Sequence, residues 1–254
     1  MITVKSTREL DIMRQAGRIV MLAHNRIREL IAPGVTTKEL DRAAEEVIRK
    51  AGGIPSFKGV PCPYGGFDFP ASICASVNQE VIHGIPNDKP LKEGDIISVD
   101  IGAIFEGFHG DAARTFEVGQ VSAEAHRLVT VTRDSFYKGL EMVREGMRIQ
   151  DISRAIQQYV EQNGFSIVRD FVGHGIGTEM HEPPQIPNYV SRERGPRLRR
   201  GMTLAIEPMV NQGDWQVKLL KDKWTVVTKD GKLSAHYENT VAVTGNDPEI
   251  LTKL

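Results

Sequence analysis

Cysteine is scarce: the chain has two in 254 residues, Cys62 and Cys74, too far apart for a CxxC pair. That excludes a disulfide framework and a thiolate-held structural zinc. With no export signal, the two are expected as reduced thiols in a cytoplasmic protein. An excess of charge of either sign is also missing. Lys and Arg number 32 against 33 Asp and Glu, for a net charge of −1. No overall field therefore draws the chain onto nucleic acid or membrane. The one basic run spans Arg192 to Arg200. A ribosomal contact could rest on it, but a solvated loop is the simpler reading. No apolar stretch approaches the roughly 18–20 residues needed to cross a bilayer. The opening MITVKSTREL lacks the apolar core of a signal peptide. What is left is ordinary for a globular protein: 40% hydrophobic and 26% charged, with length for one large domain or two small ones.

Local signals set out the elements. Ser6 and Glu9 form a capping box, and apolar residues recur at Leu10, Met13, Ala16, Ile19, Val20 and Ala23, so a helix is predicted over about 7–31. A second capping box, Thr36 with Glu39, opens a helix that stops at Gly52-Gly53. That helix returns. Residues 33–52 align with 145–164 at a constant offset of 112, with Gly34 on Gly146 and Gly52 on Gly164. A long helix precedes each copy, the second predicted over about 123–144. The strand LKEGDIISVD, residues 91–100, likewise aligns with LRRGMTLAIE, residues 198–207, placing Asp100 on Glu207. Each half also has a later strand that begins with a carboxylate, Asp111 and Glu238. The expectation is a single α+β domain over 1–254 with pseudo-twofold halves, about 1–120 and 121–254. Helices would cover one face of a curved antiparallel sheet and the ligands would lie on the other.

Five residues carry the chemistry: Asp100, Asp111, His174, Glu207 and Glu238. A two-residue turn at Glu106-Gly107 would set Asp100 and Asp111 one diagonal step apart on the same sheet face. Glu207 and Glu238 each interrupt an apolar strand, and a lone carboxylate buried there costs several kcal/mol unless it is paired or bound to metal. Salt bridges from Arg114 or Lys218 are the competing explanation. His174 sits among glycines 173, 175 and 177, read as a loop open to close ligand approach. His181 follows beside Glu182-Pro183-Pro184, and His83 lies in the loop VIHGIP. Such a carboxylate-rich set suits two divalent ions, Mn, Fe(II), Co or Zn. A pair of adjacent metals lowers the pKa of a water and polarises a carbonyl.

The segments VIHGIP, SVDIGAIFEGFHGDAARTF, GHGIGTEMHEPPQIPNY, GMTLAIEPM and WTVVTKDGKLSAHYENT, together with the repeat, resemble the type I methionine aminopeptidases of the pita-bread metallopeptidase fold. The likeness runs over nearly 1–250. It implies that Asp111 and Glu238 bridge two metals, that Asp100 completes one shell, and that His174 with Glu207 completes the other. His83 would meet the substrate's amine or scissile nitrogen, and His181 its scissile carbonyl oxygen. Cys62, Phe69, Cys74 and Trp224 match positions that line the methionine pocket. Tyr64, Phe67 and Met180 are further candidates for its walls, although Tyr64 to Phe67 departs from the bacterial pattern. The activity implied is removal of N-terminal methionine from nascent polypeptides with a small second residue, with Glu207 moving the water's proton. The short spacing from His181 to Glu207 and the absence of a zinc-binding extension fit the minimal bacterial form. A cytoplasmic monomer is expected, with no nucleic-acid function and with the ribosome near its exit tunnel as a candidate partner. The rivals are an X-Pro aminopeptidase or dipeptidase of this fold, and a non-catalytic peptide- or RNA-binding module.

Overall fold

A computed structural model describes residues 2–254. The first half runs α1 (Thr7–Leu30), α2 (Thr37–Lys50), β1 (Ile54–Pro55), β2 (Ile73–Val77), β3 (Glu80–Ile82), β4 (Ile96–Phe105) and β5 (Phe108–Glu117). The second runs α3 (Ala123–Leu140), α4 (Ile149–Gln162), β6 (Ser166–Ile167), β7 (Gly173–Gly175), β8 (Glu182–Ile186), β9 (Thr203–Ile206) and β10 (Met209–Asn211). It continues through β11 (Val217–Leu219), β12 (Val226–Thr228), β13 (Ser234–His236), β14 (Asn239–Ala242) and β15 (Glu249–Ile250). All strand pairings among them are antiparallel.

Both predicted capping boxes form. The Ser6 and Thr36 hydroxyls accept from the backbone N–H of Glu9 and Glu39, whose carboxylates accept in return from the N–H of Ser6 and Thr36. At α4 the cap residue is Arg148, and only the return bond survives, from Arg148 N–H to Asp151 at 2.9 Å. Helix α3 ends at Leu140, short of the predicted 144. The next residues tighten into i→i+3 turns, Met142 on Gly139 and Val143 on Leu140, as helix ends commonly do.

The repeat is visible in backbone detail. Gly34 and Gly146 have φ of +96° and +88°, and each donates its N–H to a leucine carbonyl, Leu91 and Leu198. Thr36 bridges Pro90 as Arg148 bridges Arg197. Ile54 pairs with Ile104 as Ser166 pairs with Asn211. In each half, two helices bury their apolar stripes on the strands. Ile19, Val20, Ile27, Leu40 and Ile48 meet Ile97, Val99 and Ile101. Leu128, Phe136, Ile152 and Ile156 meet Leu204, Ile206 and Val210. Strand alternation then turns Asp100 and Glu207 away from the helices, because neighbours one residue apart face opposite ways.

The halves join at a seam between β5 and β13–β14. Asp111 N–H donates to Thr240 Oγ1 at 3.0 Å, and that hydroxyl donates to Asp111 O. In mirror fashion, His236 N–H donates to Thr115 Oγ1 at 2.9 Å, and that hydroxyl donates to His236 O. Glu238 N–H reaches Ala113 O midway. This register corrects one sequence alignment. Asp111 opposes Gly102 as His236 opposes Met209, so the counterpart of Asp111 is His236, and Glu238 falls on Ala113. The carboxylates of the two halves, Asp111 and Glu238, thus stand at different rungs of the same seam.

Candidate metal centre

The β4–β5 hairpin turns at Glu106 and Gly107, both at positive φ (+45° and +82°), with Phe105 opposite Phe108. Asp100 therefore pairs with Ala113 and Gly102 with Asp111, which sets the two aspartates on one face, a diagonal step apart. Glu207 follows the end of β9, and its carbonyl accepts from Asn188 Nδ2 at 3.0 Å. Glu238 immediately precedes β14 and is 1% exposed, against 4% for Asp111 and 7% for His174.

His174 lies in strand β7, not in a loop. The glycines beside it serve the strands rather than a ligand. A Cβ at Gly173 would lie 2.4 Å from Ala205 O, and one at Gly175 would lie 2.4 Å from Pro183 O. At Gly177 it would meet Lys5 and Glu182, an ion pair of 2.6 Å. His174 Nδ1 donates to Gly175 O at 2.9 Å, which leaves the Nε2 lone pair pointing at the carboxylates, 3.5 Å from Glu207 Oε1.

The residues fit a bound cation. Asp111, His174 and Glu238 offer ligand atoms that all lie within 4.8 Å of one another. Asp100 Oδ1, Asp111 Oδ1 and Glu238 Oε1 are buried with no hydrogen-bond partner. Buried acceptors of this kind call for a counter-charge. Burial, and then mutual repulsion, push the Asp111, Glu207 and Glu238 carboxyls well above the usual carboxylate range. Asp100 is pushed up to about 7, chiefly by burial. A divalent cation reverses that sign by pairing with the ionised forms. Salt bridges do not compete. Arg114 donates to the Glu238 backbone carbonyl and to Asn239 Oδ1, with its guanidinium 4.3 Å over the Tyr237 ring. Lys218 lies on the exposed strand β11 and pairs with neither glutamate.

Above the carboxylates opens a cavity of about 370 Å³. All five ligand candidates, His83, His181, Phe69, Cys74, Trp224 and Met180 line it. His83 sits at a corner with φ +58°, an uncommon conformation for a side chain other than glycine. Gly84 makes this corner possible, since a Cβ there would lie 2.4 Å from Ala75 O. Burial pushes the His83 imidazole down to about 4, so it is neutral at pH 7 and can accept or donate a hydrogen bond. The His174 and His181 rings lie 4.3 Å apart, with His181 the more exposed. Phe69 meets Trp224 edge-on at 5.1 Å beside Cys74, and Trp224 Nε1 donates to Phe67 O.

Three pocket candidates fall elsewhere. Cys62 packs behind Phe69, Cys74 and Trp224, with its thiol turned to Lys223 O, and does not line the cavity. Tyr64 and Phe67 are 58% and 50% exposed. Phe57, Val60, Pro61 and Pro63 complete the wall in their place, and no sequence signal marks them because loop residues carry no periodicity. His236 was missed as well. It is 2% exposed, its Nε2 has no hydrogen-bond partner, and it forms a second potential cluster with Glu207 and Glu238. The seam would have found it, but no sequence pattern marks it.

Comparison with known proteins agrees with this geometry. The profile of metallopeptidase family M24 matches residues 11–245. A methionine aminopeptidase of Clostridium perfringens is 58% identical over 252 residues, 99% of each chain. The crystal structure of a methionine aminopeptidase from Thermotoga maritima superposes with a TM-score of 0.95 at 47% identity, covering all of both chains. A Xaa-Pro dipeptidase from Bacillus anthracis shares the fold, with a TM-score of 0.78 at 23% identity, but this chain spans only 62% of it. The buried carboxylates with an inward histidine, the pocket above them and the full-length match lead to one conclusion: the chain belongs to metallopeptidase family M24.

Proposed function

We propose that this protein is a methionine aminopeptidase. It hydrolyses the first peptide bond of polypeptides that begin with methionine and continue with a small residue. It works as a single catalytic domain, a monomer in the cytoplasm, on nascent chains near the ribosomal exit. The observation that carries the reading is the convergence of Asp100, Asp111, His174, Glu207 and Glu238, with unpaired buried oxygens, under a cavity walled by Phe69, Cys74, Trp224 and Met180.

Asp100, Asp111, His174, Glu207 and Glu238 would together hold the divalent ions. Once bound, the ions would supply Lewis-acid activation of a water and of the scissile carbonyl. The protein's own groups do the rest. Glu207 accepts the water's proton and passes it to the departing amine. His181, on the open side, donates to the carbonyl oxygen as negative charge develops there. His83 faces the scissile nitrogen and holds the amine end in place. Sulfur and aromatic faces suit a methionine side chain, through contacts worth roughly 0.3–1.5 kcal/mol each.

A panel of Met-X and X-Pro peptides, assayed with Mn, Fe(II), Co and Zn, tests the reading. Cleavage confined to Met-X peptides with small X is expected. Preference for X-Pro peptides, or undiminished activity after thorough metal stripping, would replace it.

A further inference from the structure

His236 has no part in the reading above, yet it stands where the first half keeps a ligand. The seam pairs it with Asp111: both strands are clasped by a threonine hydroxyl that accepts from one backbone N–H and donates to the carbonyl of the same residue. In the first half the Asp111 side chain neighbours that of Asp100. In the second, His236 Nε2 lies 3.7 Å from Glu207 Oε2 and 4.0 Å from Glu238 Oε2. Both distances exceed hydrogen-bond reach, and among the described residues no hydrogen-bond partner reaches this nitrogen.

Glu207 is thus bracketed by two imidazoles. His174 Nε2 stands 3.5 Å from Oε1, on the cavity side, and His236 Nε2 stands near Oε2. His236 does not line the cavity over the carboxylates. It borders a separate one of about 240 Å³ beside Arg114 and Tyr237. It therefore approaches Glu207 from behind and cannot touch a substrate in the cavity.

We propose that His236 is a positioning residue for Glu207. Its Nε2–H donates to Oε2, which fixes the carboxylate with Oε1 turned to His174 and the cavity. A neutral imidazole carries one N–H, and placing it on Nε2 satisfies both the unpartnered nitrogen and a crowded carboxylate. Partners of this kind behind a metal ligand typically contribute 10–100-fold to activity or affinity. The inference rests on the proposed role of Glu207.

The test compares His236→Leu, His236→Gln and His236→Asn with wild type and Glu207→Gln at saturating Mn(II), using a Met-Ala peptide. A glutamine amide nitrogen can reach the place of Nε2, whereas an asparagine amide nitrogen stops near that of Nδ1. Turnover should fall about 10–100-fold in His236→Leu and His236→Asn. KM should change little, and His236→Gln should recover most of the turnover. Calorimetry should give the same Mn(II) stoichiometry in all three His236 variants as in wild type. Wild-type turnover in His236→Asn, or equal losses in the Gln and Asn variants, would overturn the proposal, and these two amides of different reach decide it even if His236→Leu does not fold. A lost equivalent of Mn(II) in His236→Gln would also overturn it, since His236 would then be a ligand. Full activity in Glu207→Gln would remove the reading on which the proposal rests. Full activity in the His236 variants beside an inert Glu207→Gln removes the positioning role alone.

Discussion

At the scale of single residues, the ligands and the histidines divide by where their nitrogens and oxygens point. Glu207 is partly buried among carboxylates and next to His174. Glu207→Gln keeps the shape but cannot accept a proton, so turnover should drop about 10²–10⁴-fold while the metal-free melting temperature holds or rises. Steady-state kinetics beside calorimetric melting measure both, and near-wild-type turnover would take Glu207 out of the chemistry. The two neighbouring histidines should part company. His174, held by Gly175 O with Nε2 inward, should on change to alanine lose metal affinity directly. His181→Ala should keep its metal and lose about 10²–10³-fold in turnover, as expected when an oxyanion donor is removed. Metal titrations of the two variants decide the matter, and equal losses of affinity would contradict the assignment.

Between elements, the site depends on close backbone approach. Helix α1 crosses β5 at Gly17 and Gly110, where a Cβ on Gly110 would lie 2.7 Å from Gly17 N. On its other side Gly17 faces the C-terminal segment, and a Cβ there would lie 2.3 Å from Leu251 O. Backbone on both sides cannot yield as a side chain can. Gly17→Ala should therefore destabilise by about 1–3 kcal/mol, the usual cost of overpacking, despite alanine's better helix propensity. Urea denaturation measures this, and an unchanged midpoint would show that α1 can shift. The same strand β5 carries Asp111, so the variant should also weaken metal binding.

For the whole molecule, function works against stability. Four carboxyls crowd one another, Asp111 and Glu238 buried and Asp100 and Glu207 partly so, and each is pushed upward. A group whose folded pKa is raised loses stability as pH rises through that value, so near neutrality the metal-free cluster is destabilising. Asp111→Asn should raise the metal-free melting temperature by about 2–8 °C while abolishing the further rise that Mn(II) gives wild type. A melting temperature below wild type in the absence of metal would mean that the repulsion is already relieved. Buried histidines act in the opposite sense. His24, on α1, bonds Ala112 O through Nε2 at 2.8 Å and is pushed from 6.5 down to about 3, by burial first and then by Arg114. The unfolded chain binds the proton in that window and the folded one does not, so stability falls as pH drops below 6.5. His24→Gln retains a donor and cannot titrate. Relative to it, wild type should lose up to about 1.4 kcal/mol per pH unit between 6.5 and 4, read from urea midpoints.

Much of this molecule is legible in one dimension because its signals are local. Capping boxes, the 3.6-residue stripes of α1 and α2, the tight turn at Glu106-Gly107 and the alternation that sets Asp100 and Asp111 on one face all act over a few residues. A buried carboxylate in an apolar strand also announces itself, since few explanations other than metal cover its desolvation. Contacts between distant segments were decided only in three dimensions. The seam clasped by Thr115 and Thr240 set the counterpart of Asp111 as His236 instead of Glu238, turned Arg114 onto backbone and Asn239 instead of a carboxylate, and brought a fourth histidine behind Glu207. The walls of the cavity likewise come from an irregular loop whose path depends on what it packs against. Hydrogen bonds and packing between residues more than a hundred positions apart depend on how the two halves dock, and no local propensity encodes that docking.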